Sequence, residues 1–364
     1  MIQVKLGMFL QPSHPPERNP YDATEWDLEV IRLADQLGYK EAWIGEHYTS
    51  TWEPIPAPDL MIAQALKSTK QIKLAPGAHL LPYHHPVELA HRVAYLDHLA
   101  QGRLILGVGA GAIPTDLETF GVEFGENRKM MGEALEIILK LWKEEEPFEY
   151  KGKYWNANKV KGNDILKPHM KPFQQPHPPI GVTGLSPGSE TLKMAGEKGF
   201  IPMSLGNNIE YIASHWKDVE EGAKRSGKNP QRSDWRITRD VFVADTDEEA
   251  LEGSLHSMMG RHYREYYLPL FRLLGGVSVF KHNSSVDEND ITPEYVAKHN
   301  WLIGSPETVA TKFANLYEAV GGFGTLLVVS YDYSEEPEAW KKSMRLLKEE
   351  VLPRVEQKIS KVII

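Results

Sequence analysis

Residues 72–111 read IKLAPGAHLLPYHHPVELAHRVAYLDHLAQGRLILGVGAG. An apolar run at 72–79 leads into a helical pattern at 87–100, and a second apolar run follows at 103–109. Two short apolar strands joined through a helix form a parallel βαβ unit, with the strands covered on both faces. Everything else in the chain extends this unit or interrupts it.

On its N-terminal side lie a strand at 3–9 (Val4, Leu6, Met8), a helix at 24–38, a strand at 41–45 and a helix at 59–68. The first helix sets Leu28, Ile31, Ala34 and Leu37 on one face and ends at Gly38. On the C-terminal side, a long helix at 127–142 gives way to residues 145–178, a polar stretch with Pro147, Pro168, Pro172, Pro176 and Pro178. This reads as a long connection with a small hairpin around Gly152. The alternation resumes with strand 179–184, helix 187–198, strand 199–205, helix 208–226 and strand 235–245. Residues 247–300 form a second irregular stretch, opening with a helix at 247–268. Helix 306–320, strand 324–330 and helix 336–355 close the pattern. Eight strands without a midpoint predict an α/β fold, one (β/α)8 TIM barrel spanning residues 1–364 as a single domain. Its insertions, about 145–178 and 247–300, follow strands 4 and 7.

Hydrophobic residues make up 41% of the chain and charged residues 25%, enough apolar material for a large core. The formal charge of 41 − 50 = −9 repels phosphate backbones and anionic lipid heads, so neither nucleic acid nor membrane is expected as a partner. No apolar run approaches the ~20 residues of a membrane span. With no cysteine, disulfides, thiolate metal sites and a cysteine nucleophile are excluded together. The segment Met1–Phe9 is too short and too soon interrupted for a signal peptide, which leaves the cytoplasm as the expected location.

A barrel places its chemistry at the C-terminal ends of the strands. The run Gly107-Val-Gly-Ala-Gly-Ala112 formally matches the dinucleotide pattern G-x-G-x-x-A, but Ile113-Pro114-Thr115-Asp116 intervenes before any helix, and Pro114 spoils an early helix interior. Small residues there either allow tight packing or let a flat ring lie against Ala110 and Gly111. In Thr183-Gly-Leu-Ser-Pro-Gly-Ser-Glu-Thr191, the residues Ser186, Gly188 and Ser189 stand at a helix N-terminus, where N–H groups and hydroxyls suit a phosphate. Simple capping by Ser186 or Ser189 is the plainer reading. Among the 14 histidines, His47, His79, His84, His85 and His91 cluster beside Glu46 without clean ligand spacing, so no functional metal is expected. His47 lies just beyond strand 2, where an imidazole can act as a general acid or base. Trp52, Tyr48, Phe9 and Tyr83 lie near strand ends and are candidate walls of a dry apolar pocket.

Taken together, Glu41-Ala-Trp-Ile-Gly-Glu-His-Tyr48, Thr69-Lys-Gln-Ile-Lys-Leu-Ala-Pro-Gly-Ala78, Leu81-Pro-Tyr-His-His-Pro86, Leu96-Asp-His-Leu-Ala-Gln-Gly-Arg103, Gly107-Val-Gly-Ala-Gly111 and Ile303-Gly-Ser-Pro-Glu-Thr-Val309 resemble the bacterial luciferase-like flavin monooxygenases over essentially the whole chain. Trp43-Ile-Gly-Glu-His47 and Leu81-Pro-Tyr-His-His-Pro86 look most like the limonene monooxygenase branch. The resemblance implies reduced FMN as cofactor, O2 as oxidant, a separate NAD(P)H:flavin reductase and a homodimer. It transfers the active-site histidine to His47, a non-prolyl cis peptide beneath the flavin to Gly77–Ala78, and the phosphate turn to Ser186, Gly188 and Ser189. Where the luciferase α subunit has a phosphate-contacting arginine after strand 4, this chain has Ala110.

The implied activity is oxygenation of a small apolar substrate resembling a terpene, ketone or aldehyde. His47 would manage protons in a pocket closed to water. The rivals are a deazaflavin-dependent oxidoreductase and a non-catalytic flavin-binding accessory subunit.

Overall fold

A computed structural model describes residues 4–362. Its barrel strands are β1 (Lys5–Ser13), β2 (Glu41–Ile44), β3 (Lys73–Pro76 and His79–Leu80), β4 (Leu106–Gly109), β5 (Ile180–Gly184), β6 (Ile201–Ser204), β7 (Arg236–Arg239) and β8 (Thr325–Tyr331). All are parallel, in the order β3-β2-β1-β8-β7-β6-β5-β4. The ring closes because β4 returns to β3, through the Leu74–Leu104 bridge and the His79–Val108 register. The fold is the expected (β/α)8 barrel.

Alternation along the strands sends one set of side chains inward and the other toward the helices. Phe9, Trp43, Ala75, Ile105, Met203 and Leu327 fill the interior. Trp43 needs the most room, and glycines provide it. A Cβ on Gly181 would lie 2.5 Å from its ring, and one on Gly107 3.0 Å from it. Lower down, Arg236 makes a two-pronged contact with the buried Glu41 at 2.9 and 3.0 Å. Outside the ring, helices lay apolar faces on the sheet. The helix Pro20–Gln36, for example, buries Trp26, Val30, Ile31 and Ala34. It begins four residues before its expected start because Asn19 caps the Tyr21 N–H and Pro20 is preset for the first helical turn.

Other boundaries also differ from the sequence reading. The helix expected at 187–198 starts at Glu190, with Ser189 as its cap. The strand expected at 235–245 is two strands, β7 and Val241–Val243. The second leaves the ring at Asp240 and pairs with Leu302–Gly304. Pro114, expected to prevent a helix, instead opens one at Pro114–Thr119, where its missing N–H costs nothing. The helix expected at 247–268 is broken into Asp247–Leu255, Met258–His262, a π-turn Tyr263–Tyr267 and Leu268–Leu273.

That π-turn and a second one, Leu347–Val351, each end two residues before a proline, Pro269 and Pro353. A proline cannot donate to the carbonyl four residues back, so the ladder widens there rather than breaking. Residues 145–178 hold the hairpin foreseen around Gly152, Phe148–Lys151 with Asn156–Lys159. Among the described residues no helix is long and apolar enough to cross a membrane.

Candidate active site

The barrel mouth collects the groups that the strands deliver last. Strand β3 is interrupted at Gly77–Ala78, and that peptide bond is cis, as the resemblance implied. Gly77, Gly109, Ala110 and Gly111 are partly exposed, so this part of the rim is largely backbone. The carbonyls of Ala110 and Gly111 accept from the Asn127 amide at 3.3 and 2.8 Å, which holds the loop in place. Gly111 has φ +78°, and a Cβ there would lie 2.3 Å from the Tyr83 hydroxyl. Gly111→Ala is therefore expected to cost about 1–3 kcal/mol of stability. Unfolding in denaturant reads this directly, and an unchanged midpoint would refute the close approach.

His47 follows β2 between two carboxylates. Its Nε2 is 3.2 Å from Glu53 Oε2, and its Nδ1 is 3.6 Å from Asp116 Oδ2. The second distance is an ion-pair contact rather than a hydrogen bond. Burial by itself would pull the His47 pKa down, but Glu53 and then Asp116 outweigh it and the net shift is upward. The two carboxylates thus favour the protonated imidazole, which suits His47 to a role as proton donor. Glu53 moves upward because it is buried, partly offset by His47 and by the Tyr266 hydroxyl at 2.9 Å. Asp116 moves down; burial opposes this, while His47 and Thr49 favour its charged form.

Glu46 points the other way. Its two oxygens meet His79 Nδ1 at 3.0 Å and His84 Nε2 at 2.7 Å, and the Tyr48 hydroxyl donates at 2.9 Å. Despite burial, these contacts hold the Glu46 carboxyl down at about 2. The donor atoms of Glu46, His79 and His84 lie within 4.8 Å of one another, close enough to consider a metal. Each histidine nitrogen, however, rests against its own carboxylate oxygen. The arrangement as it stands is a carboxylate that fixes two imidazoles.

Aromatic side chains roof the mouth. Tyr83 stacks on Phe120 at 4.5 Å, and Tyr48 meets both rings edge-on. Opposite them, the π-turn brings Tyr266 parallel to Trp52 at 6.0 Å and sets Tyr267 beside His262. His262 is buried, its pKa drawn down to about 3, and its Nδ1 meets Ser13 Oγ at 2.5 Å. Phe9, read as a pocket wall, instead belongs to the interior layer, below Gly77.

At the turn after β5, Ser186 and Gly188 are exposed, and Gly188 has φ +70° with open space around it. Ser189 is more occupied. It caps the helix, its N–H donates to Asp218 at 2.9 Å, and its hydroxyl meets Thr191 at 2.9 Å. The structure thus joins His47 to the strand-4 loop through Asp116 and to Gly111 through Tyr48 and Tyr83. The β5 turn is a separate station on the rim. Sequence reading missed Glu53, Asp116, Asn127, Tyr266 and His262. Asp116 was within reach, because Pro114 followed by an acidic residue is a helix-start signal. Asn127 opens the long helix Asn127–Lys143, and the others lie in a loop or in the broken helix, where no local pattern marks them.

Comparison with known proteins places this geometry. Residues 4–322 match the family described as luciferase-like monooxygenase. The 3,6-diketocamphane 1,6-monooxygenase of Pseudomonas putida is 34% identical, covering 97% of this chain and 99% of its own. The limonene 1,2-monooxygenase of Rhodococcus erythropolis is 31% identical over 96% and 86%. Among solved structures, the FMN complex of the oxygenating constituent of 3,6-diketocamphane monooxygenase from P. putida, a type II Baeyer–Villiger enzyme, superposes with a TM-score of 0.91 at 34% identity, over 97% of this chain and 98% of that one. Sequence, barrel and rim agree, and the chain belongs to the luciferase-like monooxygenase family.

Proposed function

We propose that this chain is an FMN-dependent monooxygenase acting on a small apolar ketone or terpene, with reduced flavin delivered by a separate reductase. The observation that carries the reading is the continuous rim from the backbone of Gly77–Ala78 and Ala110–Gly111 to His47. An isoalloxazine ring needs such a surface free of side chains, and the residues present fit it. For the phosphate, Ser186 and Gly188 remain available at the β5 turn, while Ser189 is committed to Asp218 and Thr191. When bound, reduced FMN supplies two electrons, with which one atom of O2 enters the substrate and the other leaves as water. His47 donates a proton at Nε2 or Nδ1, and Glu53 and Asp116 favour its protonated form. The roof of Tyr83, Phe120, Trp52 and Tyr266 excludes water.

The relatives' substrates point to bicyclic terpenoid ketones and to limonene. A homodimer agrees with the exposed Leu60, Tyr95 and Leu99 on the helices Pro58–Ser68 and Pro86–Ala100. The test mixes full-length protein with chemically reduced FMN, O2 and a diketocamphane or limonene, in the presence of excess chelator. Expected is saturable binding of reduced FMN under nitrogen, followed by an oxygenated product on admission of O2. Absence of flavin binding overturns the reading. Loss of turnover to the chelator, with stoichiometric zinc in the protein, would instead make Glu46, His79 and His84 a metal centre.

A further inference from the structure

A second cavity, of about 300 Å³, lies between the end of β7, the start of the helix Ile209–Ser226 and the helix Pro306–Ala319. Arg239, Lys298, His299, Asn300, Lys312 and Asn315 line it, and no carboxylate does. Lys298, His299 and Asn315 are exposed, so the cavity communicates with solvent.

At its inner end lies a buried cation that no carboxylate touches directly. Arg239 is 3% exposed and forms no ion pair among the described residues. One of its terminal nitrogens donates to the carbonyls of Gly206 and Thr238, both at 2.8 Å, and the other, Nη2, has no partner. The adjacent carboxylate, Asp240, is already engaged by Tyr331, by Tyr263 at 2.9 Å and by Asn207 at 3.2 Å. Burial draws the Arg239 pKa down to about 10. Lys312 donates to the Ile303 carbonyl at 3.0 Å. The carboxylate acting on it, Asp247, is itself bonded to the Ser305 N–H and the Thr308 hydroxyl. Asp240 and Asp247 act on these cations from nearby, yet neither forms a direct ion pair with them among the described residues, and a bound anion in contact would offset the cost of their burial. The same wall carries an unmet acceptor. Asn300 donates its amide to the Phe280 carbonyl at 2.6 Å, which fixes its orientation and leaves its buried Oδ1 without a partner.

We propose that this cavity binds a phosphate group, free or carried on a small metabolite, as a second anion site separate from any flavin phosphate. The cations and the Asn315 amide suit the phosphate oxygens, and a protonated P–OH suits Asn300 Oδ1. A carboxylate or sulfate has the charge but lacks the hydroxyl donor.

The test titrates full-length protein with inorganic phosphate, followed by calorimetry, with one equivalent of oxidised FMN, which fills the flavin site without leaving an excess of its own phosphate to compete. Parallel arms use ribose 5-phosphate and sulfate. One saturable site is expected, with sulfate weaker, and the tighter of the two phosphate arms identifies the source. Asn315→Asp, at an exposed position, adds a negative charge without endangering the fold, and Lys312→Met removes a donor. Each should weaken binding by about ten-fold or more, the worth of one charge-assisted hydrogen bond. Asn229→Asp, at a surface position that does not line this cavity, should leave it unchanged. Absence of saturable binding at millimolar phosphate overturns the proposal. So does equal affinity in Asn315→Asp and Lys312→Met, or sulfate binding as tightly as phosphate.

Discussion

In the His47→Asn variant, product formed per bound flavin is expected to fall by ~10²–10⁴, the usual worth of general acid–base catalysis. Flavin affinity and the unfolding midpoint should change little, since His47 is half-buried at the rim and is not part of the backbone surface proposed for the ring. Oxygen should still be consumed and appear as hydrogen peroxide, because the missing proton donor affects how oxygen is used rather than whether it reacts. The pH profile separates this role from mere packing. Glu53 and Asp116 raise the His47 pKa, so turnover should decline on the alkaline side of the ordinary imidazole value. Glu53→Gln removes the larger of the two charge effects and should bring that decline to lower pH. If His47→Asn keeps the parent ratio of product to peroxide, His47 has no part in the chemistry.

The second large effect concerns stability. His14 follows β1 directly and is held between two buried carboxylates, with Nε2 3.0 Å from Asp27 and Nδ1 2.9 Å from Asp332. Arg18 Nε adds a third contact, to Asp332 at 3.0 Å. Burial by itself would lower the His14 pKa, but the carboxylates reverse this and raise it from 6.5 to about 9. His14→Ala strands the buried Asp27 carboxylate and leaves Asp332 to Arg18 and Ser334, and should cost about 3–5 kcal/mol, as breaking a buried ion pair does. A group whose folded pKa is raised contributes fully below its unfolded value and loses that contribution as pH rises through the folded one. The deficit of the variant should therefore be largest near pH 6.5 and below, and shrink as pH passes about 9. Denaturant midpoints of parent and variant from pH 6 to pH 10 measure it. A deficit independent of pH would mean that His14 acts through shape alone.

Much of the barrel was legible because its signals are local. Short apolar runs spaced by amphipathic helices recur eight times, and each run needs only its own residues to be recognised. The positions of His47 and of Gly77–Ala78 followed from the same count, since a residue just past a strand in a parallel barrel faces the mouth. What failed was also local. Pro114 was read as a breaker, although at the first helical position it is a starter. The helix after β7 was read as continuous, although Pro269 forces a π-turn that sets Tyr266 against Trp52 and Tyr267 beside the buried His262.

The sequence by itself determined the order of strands and helices, the glycines that admit Trp43, and the placing of one histidine and one bare backbone segment at the rim. Only the tertiary structure decided which charges meet. Glu53 and Asp116 lie 6 and 69 residues beyond His47, Asp332 lies 318 beyond His14, and Arg239 stands beside a cavity built from residues about 30 positions upstream and about 60 to 80 downstream. Such pairings depend on loop closure and on the direction of single side chains. Neither leaves a periodic trace along the chain, because an ion pair constrains two points in space and not the residues between them.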